Sequence, residues 1–247
     1  MSTSPGSTSS SSRSPSDSAS PGGHDETIAV FDLDGTLTTR DTTLAYLLGY
    51  LRQHPRRLAG CLPLAVGAAG FACGLVDNAD MKRAALRAIL GGAGRAELAA
   101  WTDSFVAWCL RALLRPMALT RIEQHTEAGH HLVLATASLD LHVEPIARAL
   151  GFSDVVCTKV AWTRGQAISG DLDGDNIRGD RKLAAVQRAV SLSESAPRSA
   201  VVIAYSDHHA DLPLLRWADQ AVAVNPTRRL AAAARIEGIP IEDWGRP

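Results

Sequence analysis

The chain has 247 residues, of which 46% are hydrophobic and 21% are charged, which is enough for one large core or for a core with a smaller attached domain. The formal net charge of −1 excludes a global field for nucleic acid or a membrane surface, so we expect no nucleic-acid partner. The cysteines form no CxxC pair, which predicts reduced packing residues in a cytoplasmic protein, with a disulfide framework as the alternative. They are Cys61, Cys73, Cys109 and Cys157.

The N-terminal segment, residues 1–25, consists mainly of serine, proline and glycine, with scarcely any apolar side chain. Such a composition buries too little apolar surface to offset the entropy of ordering, so we predict a disordered tail. The segment also lacks the apolar stretch of a signal peptide.

The first predicted strand is TIAVFD at 27–32, a short apolar run with β-branched residues. It leaves two carboxylates, Asp32 and Asp34, one residue apart where the strand ends. Like charges repel at that spacing, so the pattern favours a site where a cation, a proton or a covalent event lies between them. An ordinary turn or helix cap at Asp34 and Gly35 is the alternative.

A helical insertion is predicted next, because residues 41–116 contain no convincing strand and are rich in leucine, alanine and arginine. We expect this insertion to form a cap on a core made by 26–40 and 117–247. Within it, residues 58–76 are apolar and reach the length of about 19 residues that is read as a transmembrane candidate. Pro63 and several glycines in this stretch argue against a span.

Three alternatives stay open for 58–76. It is a helical hairpin buried in the cap, or a segment lying on a membrane, or a true span. On a membrane, Arg52, Arg56 and Arg57 would meet anionic headgroups, which predicts weak, salt-sensitive contact and a peripheral location.

Four more strands are predicted at 131–136, 154–158, 200–205 and 221–225, with helical patterns between several of them. Strands that alternate with helices indicate a mostly parallel sheet covered on both faces. The prediction is therefore a doubly wound, Rossmann-like α/β fold with an inserted all-helical cap.

Chemically capable residues follow three of these strands, and sites in open α/β sheets form at the carboxyl ends of strands. Each residue has a structural alternative, since aspartate, threonine and serine commonly cap turns and helices and lysine is usually a surface residue. Their convergence at one edge of the sheet favours a site. The candidates are Asp32, Asp34, Gly35, Thr36, Thr136, Ala137, Ser138, Lys182, Ser206, Asp207 and Asp211.

Phosphoryl transfer through an aspartyl phosphate is the chemistry that this set fits. A carboxylate attacks phosphorus and divides one hard hydrolysis into two easier steps. Attack by an anion on a phosphate needs a cation, and Mg²⁺ is usually held by one or two carboxylates, substrate oxygens and water. Lysine and hydroxyl donors stabilise the equatorial oxygens, and a second carboxylate serves as acid and base.

Four motifs, in order, resemble those of the haloacid dehalogenase-type phosphatase superfamily. They are DLDGT (32–36), LATAS (134–138), GDRK (179–182) and YSDHHADLPLL (205–215), with Ser206 where the family usually has glycine. The resemblance runs from about residue 26 to the end of the chain. The insertion directly after DLDGT is similar to the all-helical cap of the phosphoserine-phosphatase-like branch, subfamily IB.

The resemblance implies a role at each matching position. Asp32 would be the nucleophile and a Mg²⁺ ligand, and Asp34 the general acid and base, binding the metal through its carbonyl. Thr136 and Lys182 would hold the phosphoryl group. Asp207 would bind Mg²⁺, and Asp211 would bind it or orient its waters or Lys182. Substrate contacts are expected at Thr36, Asp41, Ala137 and Ser138.

The function expected from the resemblance is Mg²⁺-dependent hydrolysis of a small phosphomonoester, phosphoserine-like, with phosphatidylglycerophosphate at a membrane surface as the alternative. Two alternatives of a different functional class are a signalling receiver domain, in which an aspartate accepts a phosphoryl group, and a catalytically inactive relative that only binds phosphate. The stretch DLDGDN (171–176) superficially resembles a calcium loop, but its sixth and twelfth positions are Asn176 and Lys182, so a polar hairpin or turn is predicted. The pairs His130-His131 and His208-His209 lack metal-ligand spacing and are predicted at the surface or the site rim.

Overall fold

The computed structural model describes Met1 and residues 27–61, 64, 77–192 and 200–245. The predicted tail at 1–25 lies outside the described residues apart from Met1, as do Cys73 and most of the apolar stretch 58–76. Among the helices that are described, none is both long and apolar enough to cross a membrane. Cys109 and Cys157 are buried free thiols and Cys61 is a partly buried one.

The described residues form eight strands, six of them in one sheet. They are β1 (Thr27–Phe31), β2 (His131–Leu139), β3 (Asp154–Thr158), β4 (Val160–Trp162), β5 (Ile168–Leu172), β6 (Val201–Ser206), β7 (Gln220–Val224) and β8 (Ile241–Glu242). The large sheet has the order β3-β2-β1-β6-β7-β8, and every neighbouring pair in it is parallel. The five predicted strands are confirmed, whereas β4, β5 and β8 were not predicted because they are short and carry little apolar pattern.

Both faces of the sheet are buried, as β1 at its centre illustrates. Ile28 and Val30 pack into one hydrophobic cluster and Ala29 and Phe31 into another, and all four are fully buried. Alternating side chains of an apolar strand reach two cores only when helices cover both faces. This confirms the doubly wound α/β fold.

The described elements of the insertion between β1 and β2 are helices and helical turns, with an isolated β-bridge from Gly94 to Ala167. Its helices are α1 (Thr42–Gln53), α2 (Asn78–Ala85) and α3 (Arg95–Ala112), with a 3₁₀ turn at Pro55–Cys61 and a π turn at Leu86–Leu90. The two connections to the core run side by side, because Thr39 donates its N–H to the Leu113 carbonyl and Arg115 donates to the Leu37 carbonyl, both at 2.9 Å. We propose the boundaries 41 and 116 for this cap.

The core helices follow the cap in the chain. They are α4 (Pro116–Glu127), α5 (Asp140–Ala149), α6 (Asp180–Leu192), α7 (Leu212–Trp217) and α8 (Arg228–Glu237). Pro116 occupies the first turn of α4, where a missing N–H leaves no helical bond unmade.

The β4–β5 hairpin leaves the core and bonds to the cap. Ile168 donates its N–H to the Ala93 carbonyl and accepts from Gly92, each at 3.0 Å. Arg83 of α2 contacts Asp171 at 2.8 Å. The stretch 171–176, predicted as a polar hairpin or turn, supplies the end of β5 and the loop after it, and Asn176 in this loop is buried.

Candidate active site

A cavity of about 530 Å³ lies at the carboxyl ends of β1, β2 and β6, with the cap helices α1 and α2 over it. All the predicted site residues line it except Thr36 and Ser206, which are both fully buried. Thr36 donates its hydroxyl to Asp32 Oδ2 at 3.3 Å, and Ser206 donates its hydroxyl to Asp211 Oδ2 at 2.8 Å. The structure thus brings together side chains that are up to 179 positions apart, from Asp32 to Asp211. The lining residues from that prediction are Asp32, Asp34, Gly35, Asp41, Thr136, Ala137, Ser138, Lys182, Asp207 and Asp211.

Asp32 is held at the end of β1 by two neighbouring elements. Its backbone N–H donates to the Tyr205 carbonyl of β6 at 3.0 Å, and Lys182 of α6 donates to its Oδ1 at 2.7 Å. Burial raises the pKa of Asp32 well above its ordinary value, although the charge of Lys182 opposes this. A buried carboxylate against a buried ammonium is oriented and poorly solvated.

Lys182 lies between two carboxylates. Its ammonium is 2.7 Å from Asp32 and 2.6 Å from Asp211, and all three side chains are nearly inaccessible to solvent. Burial works against the charge, but Asp211 and Asp32 together raise the pKa of Lys182 above its ordinary value. Asp211 also accepts from the Ser206 hydroxyl at 2.8 Å, so one of its oxygens is committed to orienting the lysine.

Asp207 lies against Gly35 in the loop after β1. A Cβ on Gly35 would be 2.3 Å from Asp207 Oδ2, and the φ of Gly35 is +84°, so both close approach and backbone conformation require glycine. Burial, followed by repulsion from Asp211, raises the pKa of Asp207 to about 7. Asp207 Oδ1 is buried and has no hydrogen-bond partner among the described residues.

Asp34 points toward the start of α1 and toward β2. It accepts from the Thr42 N–H at 2.6 Å and from the Ser138 hydroxyl, which makes a short contact with its Oδ2. Burial, with repulsion from Asp41, raises the pKa of Asp34 to about 6 against these two hydrogen bonds. A carboxyl group with a pKa near neutrality can both give and take a proton at the working pH.

The segment from Thr136 to Ser138 lies in an irregularity of β2. Ala135 pairs with Val156, and the next pair joins Leu139 to Thr158, so three residues of β2 face one of β3. A bulge of this kind turns side chains and peptide groups toward the strand end. Ser138 donates its N–H to Thr136 Oγ1 at 3.1 Å, which orders the segment locally.

Several residues of the site were missed by sequence reasoning. Lys82 of α2 donates to the Ala137 carbonyl at 2.5 Å and to Asn176 Oδ1 at 2.6 Å. Burial lowers its pKa to about 8, against the attraction of Asp41 and Asp34. One lysine in an arginine-rich helical stretch carries no signal that separates it from surface residues, so only the fold could find it.

Arg115 holds the loop after β1 through hydrogen bonds to the Gly35 carbonyl. It donates to the Gly35 carbonyl from Nε at 3.2 Å and from Nη2 at 3.1 Å, and it is buried where the chain leaves the cap. Asp41 caps α1 by accepting the Leu44 N–H at 2.8 Å, while its exposed carboxylate faces the cavity.

The predicted rim histidines are distributed as follows. His208 lines the cavity, whereas His130 bonds to His125 and His131 bonds to Asp154. No group of three histidine, cysteine or acidic side chains is close enough to form a ready cage for a metal within the described part of the chain.

The donors nevertheless fit one hard cation. Asp32 and Asp207 offer carboxylate oxygens, and the Oδ1 of Asp207 lacks a partner among the described residues. Burial, with repulsion from neighbouring carboxylates, raises the pKa values of both groups. Mg²⁺ takes one or two carboxylates and completes its shell with water and substrate, so a cage of three side chains is not required.

The chain is similar in sequence or in structure to several known proteins. The family model described as haloacid dehalogenase-like hydrolase matches residues 29–216. Protein CicA of Caulobacter vibrioides is 31% identical over 198 residues, which is 80% of this chain and 86% of that protein. A protein of Mycobacterium tuberculosis named phosphoserine phosphatase is 28% identical over 219 residues, 87% of this chain and 70% of that one.

Among solved structures, a protein of unknown function from Bordetella pertussis superposes with a TM-score of 0.78 and 26% identity. The match covers 90% of this chain and all of that one.

Proposed function

Because the chain belongs to the haloacid dehalogenase-like hydrolases, we propose that it hydrolyses a phosphomonoester through an aspartyl phosphate on Asp32, in the manner of a phosphoserine phosphatase. The observation that carries the proposal is the Asp32–Lys182–Asp211 arrangement, a buried carboxylate paired with a buried ammonium on the cavity floor. A surface salt bridge would serve no such chemistry, whereas this one presents an oriented nucleophile beside a fixed cation.

In the first step, an Asp32 oxygen attacks phosphorus and the ester P–O bond breaks. The departing alkoxide takes its proton from Asp34, whose carboxyl faces the same cavity. Lys182 and the Thr136–Ser138 segment stabilise the charge on the transferring group, as preorganised donors do.

In the second step, water attacks the phosphorus of the aspartyl phosphate. Asp34, now a carboxylate, takes a proton from that water, the bond from phosphorus to Asp32 breaks, and inorganic phosphate leaves. Asp32 and Asp34 thereby return to their starting states, so the cycle balances.

Mg²⁺ would be held by Asp32, Asp207 and the carbonyl of Asp34, and would offset the repulsion between the nucleophile and the phosphate. Asp211 orients Lys182 in this scheme, and its metal contact, if made, would run through water.

The substrate is a small phosphate ester whose leaving alcohol sits under the cap. Apolar side chains line that part of the cavity beside charged ones, and one relative is named phosphoserine phosphatase. The lining residues there are Leu44, Leu47, Met81, Ala85, Arg40, Asp41, Lys82 and Arg178.

The first test is a metabolite panel that includes phosphoserine, assayed with wild type and Asp32→Asn in Mg²⁺. We expect turnover by wild type and its loss in Asp32→Asn, because the amide is isosteric with the carboxylate but is not a nucleophile. A chelator should also abolish turnover. Wild-type rates in Asp32→Asn would refute the mechanism, and an inert wild type that only binds phosphate would favour a receiver or silent relative.

A lipid headgroup phosphate such as phosphatidylglycerophosphate is the second candidate, favoured by exposed leucines of α1. Leu44 is 54% exposed and lines the cavity, and Leu48, one turn on, is 48% exposed. Arg52 and Arg56 are exposed nearby. Arg57 does not belong with them as first supposed, because it donates to the Ile89 and Gly91 carbonyls at 3.1 and 2.9 Å.

The lipid candidate predicts weak binding to vesicles rich in anionic phospholipid, and salt should reduce it because each arginine near the surface contributes on the order of 1 kcal/mol. Arg52→Glu with Arg56→Glu should abolish this binding and leave hydrolysis of a soluble aryl phosphate intact. Sedimentation with vesicles measures it. No binding at low salt, together with efficient cleavage of phosphoserine, would eliminate the lipid candidate.

A further inference from the structure

We propose that Lys82 is a positioning residue that couples docking of the cap to placement of the Asp34 acid, acting through Ala137 and Ser138. This rests on the proposed function, since it assigns Asp34 the proton of the leaving group.

The first link joins cap and core at one ammonium. Lys82 is the fifth residue of α2, and its Nζ reaches two core acceptors, the Ala137 carbonyl at 2.5 Å and Asn176 Oδ1 at 2.6 Å. A long side chain loses considerable freedom when fixed in this way, so the contact is retained only while the cap sits on the core.

The side chain of Asn176 forms hydrogen bonds with two residues of α2, Lys82 and Asn78. Its Oδ1 also accepts from the Thr158 hydroxyl at 3.2 Å, and its Nδ2 donates to Asn78 Oδ1 at 3.0 Å. Asn78 and Lys82 are four residues apart and therefore lie on the same face of α2. One buried amide thus joins the end of β3 to two side chains of the cap.

The second link runs from Ala137 to the acid. Ala137 lies inside the β2 bulge, and the next residue, Ser138, donates its hydroxyl to Asp34 Oδ2 and accepts from Thr43 at 2.7 Å. The bulge lacks regular pairing to β3. The hydrogen bond from Lys82 to the Ala137 carbonyl therefore helps to fix the conformation of residues 136–138. Loss of Lys82 should therefore let Ser138 and Asp34 shift while Asp32 and Lys182 stay in place.

The test compares kcat/KM for an alkyl phosphate and for nitrophenyl phosphate, because an aryl leaving group departs with little need of a proton. In Lys82→Met the alkyl value should fall about 10- to 100-fold, the range for a lost hydrogen bond to a charged group, and the aryl value much less. Arg83→Met is the matched control on the same helix and should leave both values unchanged, since its ion pair is exposed.

A double-mutant cycle checks the route. Lys82→Met added to Ser138→Ala should lower the alkyl value little further than Ser138→Ala alone, because both act on the same acid. Full additivity, or an equal fall for both substrates in Lys82→Met, would overturn the proposal.

Amide hydrogen exchange separates this proposal from the proposed function. Exchange of residues 136–139 should be faster in Lys82→Met than in wild type and in Arg83→Met, whatever the activity. Asn176→Ala removes the other acceptor of Lys82 and should also speed the exchange of residues 136–139. This variant replaces Lys82→Met in the test if Lys82→Met does not fold. If Lys82→Met exchanges faster but the wild type hydrolyses no phosphate ester, the Lys82 contact is supported and the proposed function is rejected. If exchange in Lys82→Met is unchanged, the proposed role of the Lys82 contact is rejected.

Discussion

Asp207 and Asp211 lie four residues apart, yet their carboxylates have different surroundings. Asp211 Oδ2 accepts from both Lys182 and Ser206, whereas Asp207 lies against Gly35 and has one buried oxygen that lacks a partner among the described residues. We therefore expect Asp211 to orient Lys182 and Asp207 to bind the metal. The four-residue spacing in the sequence does not indicate this difference.

Substitution by asparagine separates these two roles. Asp207→Asn should raise the Mg²⁺ concentration needed for half-maximal rate, because the amide is a weaker ligand. Asp211→Asn should lower kcat at saturating Mg²⁺, by about 10²–10³-fold if a preorganised donor is lost, with little change in the Mg²⁺ requirement. Titration of Mg²⁺ at fixed substrate measures both, and a raised requirement in Asp211→Asn alone would reverse the assignment.

Gly35 offers a second residue-scale test. Alanine at this position would meet Asp207 Oδ2 at 2.3 Å and would have to adopt a φ of +84°, which is strained for any side chain. We expect Gly35→Ala to lose most activity at any Mg²⁺ concentration while it remains folded by circular dichroism. Wild-type activity in this variant would show that the Asp207 carboxylate lies elsewhere during turnover.

At the level of elements, α5 joins the core to the cap through His142. The ring is fully buried, lies 3.0 Å from the Thr42 hydroxyl by Nε2, stacks on Tyr46 and meets Phe105 edge-on. Its Nδ1 has no partner in the described part of the chain. Burial, with a smaller contribution from Lys82, lowers the pKa of His142 to about 3, so the imidazole is neutral in the folded protein.

This histidine predicts a loss of stability in weak acid. Between its folded pKa of about 3 and the ordinary value of 6.5, the unfolded chain binds the additional proton, so the stabilisation present above pH 6.5 is lost as pH falls. At pH 5 the loss is about 2 kcal/mol from this residue. Urea unfolding at pH 7 and pH 5 should show a smaller loss in His142→Gln than in wild type, and equal losses would mean that the ring is not buried neutral.

At the scale of the whole molecule, five of the six described strands of the large sheet and the convergence of the site could be predicted from sequence. Runs such as TIAVFD and AVVIAY are apolar and β-branched, and the carboxyl ends of parallel strands meet at one edge. That rule places Asp32, Thr136 and Asp207 together without any knowledge of the cap.

The contacts between cap and core could not be predicted in the same way. Lys82 and Asn176 are 94 positions apart and meet only because the helix and the loop are folded over the same cavity. The alternation of apolar and polar residues records which face of an element is buried, but not which polar group it meets. The β4–β5 hairpin was missed because its strands are short and carry little apolar pattern, and the sequence likewise gives no sign of its bonds to Gly92 and Ala93 of the cap.

Transfer of a phosphoryl group to Asp32 is the claim on which the rest depends. The direct measurement is acid quenching of Asp34→Asn after mixing with an aryl phosphate in Mg²⁺, followed by mass spectrometry of its peptides. The account predicts one phosphoryl group on the peptide that contains Asp32, because this variant forms the intermediate but resolves it slowly, and none in the variant that also carries Asp32→Asn. Label on another peptide, or product formation with no labelled peptide at any time, would contradict it.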